Sequence, residues 1–291
     1  MPTFPRRKAK LAAHPVNKPP RKARFARFRR QPVQVEGPRK RARGIYLLPN
    51  AFTTGALFCG FYAIVQAMNG KYDYAAWAIF IAMILDGLDG RVARLTNTQS
   101  EFGAQYDSLS DMVSFGAAPA LVIYEWSLRG LGKLGWIAAF VYCAGAALRL
   151  ARFNTNIEVV DKRYFQGLPS PSAAALVAGY VLAMTEDGVI GTTQPWISWS
   201  ITLFAGLSMV TNLPFYSFKE INFRQSVPFI AIFLIALGLA LMALFPSYSI
   251  WWFFVIYGIS GYIIYLIRLA KGERVSLVQT DEEPVDESER R

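Results

Sequence analysis

Four aspartates fall at intervals that place them on two helix faces. In the run Asp86-Gly87-Leu88-Asp89-Gly90-Arg91-Val92-Ala93-Arg94, counting from Asp86, the residues Asp89, Gly90, Ala93 and Arg94 stand at i+3, i+4, i+7 and i+8. Those offsets share one stripe of an α-helix. After a short turn through residues 97–100, Gly103, Asp107 and Asp111 follow at intervals of four and make a second stripe. Neighbouring antiparallel helices would then present four carboxylates to one another. Gly90 and Gly103 would leave room for a backbone or a ligand to come close. Crowded carboxylates repel, and some would have to hold a proton. Divalent cations remove the repulsion, and ligands that are all oxygen suit Mg²⁺, Mn²⁺ or Ca²⁺ rather than zinc. The plainer alternative pairs the acids with Arg91 and Arg94, or leaves them in water at helix ends. Four acids at this spacing, with glycines on the same faces, favour the metal.

Scarcity elsewhere limits the chemistry. The one histidine, His14, lies in a basic, proline-rich stretch, and Cys59 and Cys143 lie inside apolar segments as small buried residues. A Ser-His or Cys-His pair is excluded on that basis, and carboxylates must carry any acid–base work.

The elements that must position these residues are membrane helices. The chain is 53% hydrophobic with positive mean hydropathy, and its apolar residues gather into blocks of the length a helix needs to cross a bilayer. Eight blocks are expected, at roughly 46–68, 72–95, 105–126, 134–154, 171–186, 196–216, 227–245 and 250–270. The sixth is interrupted by Pro214. Without barrel alternation, the backbone can satisfy its hydrogen bonds in lipid only as helices. The expected fold is therefore all-α, a polytopic membrane helix bundle of about eight transmembrane helices. An Asp near the centre of such a helix costs about 2.5–3.5 kcal/mol, so four of them call for a compensating partner.

Loop charges orient the bundle. With both termini cytoplasmic, only Lys71, Arg129 and Lys133 of the 31 Lys+Arg face outward, as the positive-inside rule requires. The aspartates then lie at the cytoplasmic ends of their helices. Residues 1–43 carry 15 Lys+Arg against the single acid Glu36, too polar to bury a core and expected to be a disordered basic arm. Such an arm suits anionic lipid headgroups, or simply reinforces orientation; nucleic acid is not the expected partner. The division is then a cytoplasmic arm (1–43), a membrane domain (44–271) and a disordered acidic tail (272–291).

The run from Asp86 to Arg94, eight intervening residues, and Gly103-x-x-x-Asp107-x-x-x-Asp111 resembles the signature of the CDP-alcohol phosphatidyltransferases at every fixed position. The resemblance implies a centre of two divalent cations, Mn²⁺ or Mg²⁺, at which CDP-diacylglycerol is bound by its pyrophosphate. Asp86, Asp89, Asp107 and Asp111 would be the ligands, with Asp111 also the general base. Gly90, Ala93, Arg94 and Gly103 would shape the nucleotide pocket. The opening Pro49-Asn50-Ala51-Phe52-Thr53 is similar to the family's Pro-Asn-x-x-Thr, which implies that Asn50 and Thr53 approach the CDP group. Read without the family, Asn50 is a helix cap.

Two further stretches bear on the acceptor. They are Arg149-Leu150-Ala151-Arg152-Phe153-Asn154 and Phe165-Gln166-Gly167-Leu168-Pro169-Ser170-Pro171. Both are similar to those of the multi-span phosphatidylserine synthase branch, which implies L-serine as acceptor, bound by Arg149, Arg152 and Ser170. An arginine fork suits the serine carboxylate. Snorkelling at the interface would equally account for the two arginines. Glycerol 3-phosphate or inositol are the alternative acceptors within the family, and a homodimer is compatible with it. A divalent-cation transporter is the rival from another class, but its acids would sit at the midplane in broken, repeated helices. The expected setting is a multi-pass protein of a bacterial cytoplasmic membrane.

Overall fold

The computed structural model describes residues 47–155, 164–217 and 229–271; the arm over 1–43 and the tail over 272–291 lie outside the described residues. Helix α1 (Leu47–Met68) pairs along its length with α2 (Tyr72–Leu95). Asn50 falls inside the first turn of α1 rather than at its cap, and Pro49 is tolerated there because a first-turn amide has no helical acceptor.

A turn with Asn97 in the left-handed region (φ 52°) leads into α3 (Glu101–Asp111). The turn suits asparagine, whose short polar side chain tolerates that region. Ser100 caps α3 by accepting a hydrogen bond from Gly103 N at 3.0 Å. The helix therefore starts ahead of the expected apolar block. From Asp111 the backbone continues through a π-helical turn (Met112–Ala117) into α4 (Ala118–Trp126).

Helix α5 (Lys133–Thr155) returns antiparallel to that rod and packs on its π turn and on α4. Helix α6 (Ser170–Glu186) lies at the centre, against α2, α4, α7 and α9, and is buried on all sides from Ala173 to Ala183. A helix that is apolar all round belongs in an interior. The run of alanines lets neighbouring helices come close.

The sixth expected span, drawn to residue 216, ends earlier. Helix α7 covers Pro195–Val210, and Pro214–Tyr216 form a strand, β2, antiparallel to β1 (Tyr164–Gln166). The residue before a proline is pushed out of the α region, and the proline has no amide hydrogen for a helix. The all-α expectation thus needs one correction, a two-stranded ribbon in register Phe165 with Phe215. It is followed by Gly167, whose φ of +75° is left-handed; a Cβ there would meet Met209 O at 2.5 Å. Only glycine suits that turn.

Helices α8 (Phe229–Leu244) and α9 (Pro246–Ala270) complete the described chain. Three helices, Leu48–Met68, Lys133–Thr155 and Pro246–Ala270, are long and apolar enough to cross a membrane, and α7 is a shorter apolar helix.

Candidate metal centre

Helix α2 brings Asp86 and Asp89, and α3 brings Asp107, into one cluster. Each offers a carboxylate oxygen, and these oxygens lie within 4.8 Å of one another. Asp89 is buried. Asp111, one turn beyond Asp107, stands beside Asp86. Asp107 Oδ1 is buried and accepts no hydrogen bond. A buried carboxylate oxygen without a donor is costly unless something positive meets it. Neither Arg91 nor Arg94 forms an ion pair with the four aspartates among the described residues. The oxygen-only set and the orphaned oxygen fit a divalent cation.

Helix α1 closes the third side. Thr53, itself buried, lies 2.7 Å from Asp89 Oδ2 and 3.2 Å from Pro49 O. Its single hydroxyl hydrogen favours the shorter contact, the carboxylate. Ser110 on α3 donates to Thr53 O at 3.1 Å, and Ser114 donates to Ala56 O at 3.0 Å. A Cβ on Gly60 would come within 2.7 Å of Ser114 Cα, so glycine permits the contact between α1 and the π turn.

Asn50 faces Gly103 across the mouth of the cluster. Its Oδ1 is 3.7 Å from where a Gly103 Cβ would be. Arg94 is exposed, and its Nη1 is 3.8 Å from where a Gly90 Cβ would be. Ala93 is half-buried one position before it. Thr54 and Tyr106, at 2.9 Å, form a further hydrogen bond between α1 and α3.

On the other side, α5 contributes Arg149. Its Nη1 donates to Ser170 Oγ at 2.6 Å, and Ser170 is fully buried at the start of α6. The guanidinium lies within electrostatic reach of Asp111 and Asp86 but forms an ion pair with neither, and its buried Nε has no partner. Arg152, one turn on, is differently engaged. Its Nη2 donates to Val210 O at 2.7 Å, and its Nη1 to Asn212 Oδ1 at 3.0 Å and Thr211 O at 3.3 Å. It therefore ties α5 to the C-terminal end of α7. Leu168 N reaches the same end through Ser208 O, at 3.0 Å. The two arginines share a helix face in the sequence, yet in the structure they meet different partners.

Sequence reasoning passed over Ser108, Ser110 and Tyr142, and gave Asn154 no role of its own. Asn154 and Ser108 join α5 to α3 through contacts of 2.9 and 3.3 Å. Tyr142 stands seven residues before Arg149, and that same-face spacing was the signal available for it.

The CDP-alcohol phosphatidyltransferase family profile matches residues 46–206, which include Asn50, the aspartates and both arginines. The chain is 34% and 37% identical to the CDP-diacylglycerol–serine O-phosphatidyltransferases of two Helicobacter pylori strains; each alignment covers 77% of this chain and 94% of the relative. It is 30% identical to the protein of the same name from Mycobacterium leprae, over 73% of this chain and 72% of the relative. With its acidic cluster and its match over more than half its length, this chain belongs to the CDP-alcohol phosphatidyltransferase family.

Proposed function

We propose that this protein transfers the phosphatidyl group of CDP-diacylglycerol to the hydroxyl of L-serine, giving phosphatidylserine and CMP. The observation that carries the acceptor assignment is the hydrogen bond of Arg149 to Ser170, within electrostatic reach of Asp111, in a family whose relatives with serine in their names align over most of this chain.

Asp86, Asp89, Asp107 and Asp111 would hold divalent cations, Mn²⁺ or Mg²⁺ and two in number. When bound, such cations supply charge stabilisation for the pyrophosphate oxygens and the leaving phosphate. Asn50, Gly90, Ala93, Arg94 and Gly103 border the CDP group, and Arg94 is placed to donate charge-assisted hydrogen bonds to phosphate oxygens. Thr53 acts on the same region through Asp89.

On the acceptor side, Arg149 and Ser170 hold the serine carboxylate, and the free Nε of Arg149 is available to it. Arg152 already spends both of its terminal nitrogens on Val210, at the end of α7, and on the two residues after it, so the carboxylate falls to Arg149. Asp111 takes the proton from the serine hydroxyl. The serine oxygen attacks the phosphorus that carries diacylglycerol, the bond from that phosphorus to the CMP oxygen breaks, and CMP leaves with the electron pair. Most of the catalytic contribution is then orientation of two substrates.

The setting is a multi-pass membrane protein with eight spans. Both termini and the aspartate cluster face the cytoplasm, on the strength of the loop charges. The test is product analysis with purified protein, CDP-diacylglycerol and Mn²⁺, offered serine, glycerol 3-phosphate or inositol in turn. Phosphatidylserine should dominate; a faster product from either other alcohol would overturn the assignment.

A further inference from the structure

Tyr142 is fully buried in α5 and donates its hydroxyl hydrogen to Phe115 O at 3.0 Å. That carbonyl cannot take the usual α-helical bond from the residue four on. The amide four residues on belongs to Pro119, which has no hydrogen to give. In a membrane interior a carbonyl freed in this way must find a donor on a neighbouring helix, and Tyr142 supplies one.

The location of this bond gives it a role. Phe115 lies in the π-helical turn that begins directly after Asp111, and Ala118 N–H reaches back five residues to Val113 O. One extra residue in a helical turn rotates the segment before it by about 100° relative to the segment after it. The turn thus sets the direction in which Asp107 and Asp111 point from a rod whose outer half, α4, is held in the core by Val122, Ile123 and Trp126. Helix α5 meets that rod at two levels, Asn154 on Ser108 and Tyr142 on Phe115. Tyr142 has little freedom to shift, because a Cβ on Gly206 of α7 would already lie 2.7 Å from its Cα.

We propose that Tyr142 is a positioning residue for the metal centre. By holding the Phe115 carbonyl it keeps the π turn in place, and the π turn aims Asp107 and Asp111 at Asp86 and Asp89. The inference rests on the reading of those four aspartates as cation ligands.

The test is Mn²⁺ binding to the full-length protein in detergent, without substrates, followed by the electron paramagnetic resonance signal of free Mn²⁺. Tyr142→Phe removes one oxygen and should weaken binding roughly tenfold to a hundredfold, the range found when a group that orients a metal ligand is lost. Pro119→Ala alone should bind as the wild type does. The double variant should recover wild-type affinity, because the amide of the new alanine supplies the donor that Phe115 O needs. Unchanged binding in Tyr142→Phe overturns the proposal, as does a double variant that binds no better than Tyr142→Phe. If Tyr142→Phe does not fold, the double variant decides: a folded protein with wild-type affinity supports the proposal, and weak binding or failure to fold overturns it. A wild type that binds no Mn²⁺ instead removes the metal reading itself, and the inference with it.

Discussion

The hydroxyl of Thr53 and the carboxylate of Asp89 meet at 2.7 Å between α1 and α2, both residues buried. A metal-binding carboxylate is commonly oriented by such an outer hydrogen bond, and removing the donor costs roughly ten- to a hundredfold in metal affinity. Thr53→Val keeps the shape and loses the donor. It should raise the Mn²⁺ concentration needed for half-maximal activity by about that factor, while Thr53→Ser should stay near wild type. A titration in which the valine and serine variants behave alike would separate Thr53 from the metal centre.

Arg149 and Arg152 are expected to part company. Arg149→Ala removes a charged hydrogen-bonding partner of the acceptor, worth about 1.5–3 kcal/mol, so KM for serine should rise roughly tenfold to a hundredfold. KM for CDP-diacylglycerol should change far less. Arg152→Ala breaks three hydrogen bonds to Val210, Thr211 and Asn212, at and just after the end of α7, and should act chiefly by lowering Tm. Steady-state kinetics and thermal unfolding of the two variants check this. A serine KM raised only by Arg152→Ala would reverse the assignment.

Asp111→Asn retains the size of the side chain and one ligand oxygen but cannot take a proton. Turnover should fall by at least ~10²-fold, the lower end for loss of a general base. Binding of CDP-diacylglycerol should be largely kept. Near-normal turnover would mean that another group is the base.

Much of this was legible because helical periodicity is local. Asp86, Asp89, Asp107 and Asp111 could be grouped by counting residues along two helices, and α2 and α3 are adjacent in the chain, so their stripes could be paired without knowing the rest of the fold. Contacts between distant segments could not be read that way. Nothing near Arg152 in the sequence shows that its guanidinium meets the carbonyls of Val210 and Thr211, or that Arg149, three residues earlier, finds Ser170. The ribbon of β1 and β2 was hidden because each strand is three residues long, too short for alternation to register. The π turn after Asp111 was hidden for a related reason. Pro119 marks a break, but whether the freed carbonyl is met depends on Tyr142, which lies on a different helix.

The central claim is that serine receives the phosphatidyl group at a metal-dependent aspartate centre. The most direct measurement follows labelled serine into lipid together with CMP release, using purified protein and CDP-diacylglycerol in Mn²⁺ and then in EDTA. A serine transfer at this centre requires equal amounts of phosphatidylserine and CMP in Mn²⁺, neither product in EDTA, and recovery when Mn²⁺ is restored. Equal yields in EDTA and Mn²⁺, or CMP release that does not depend on serine, would contradict it.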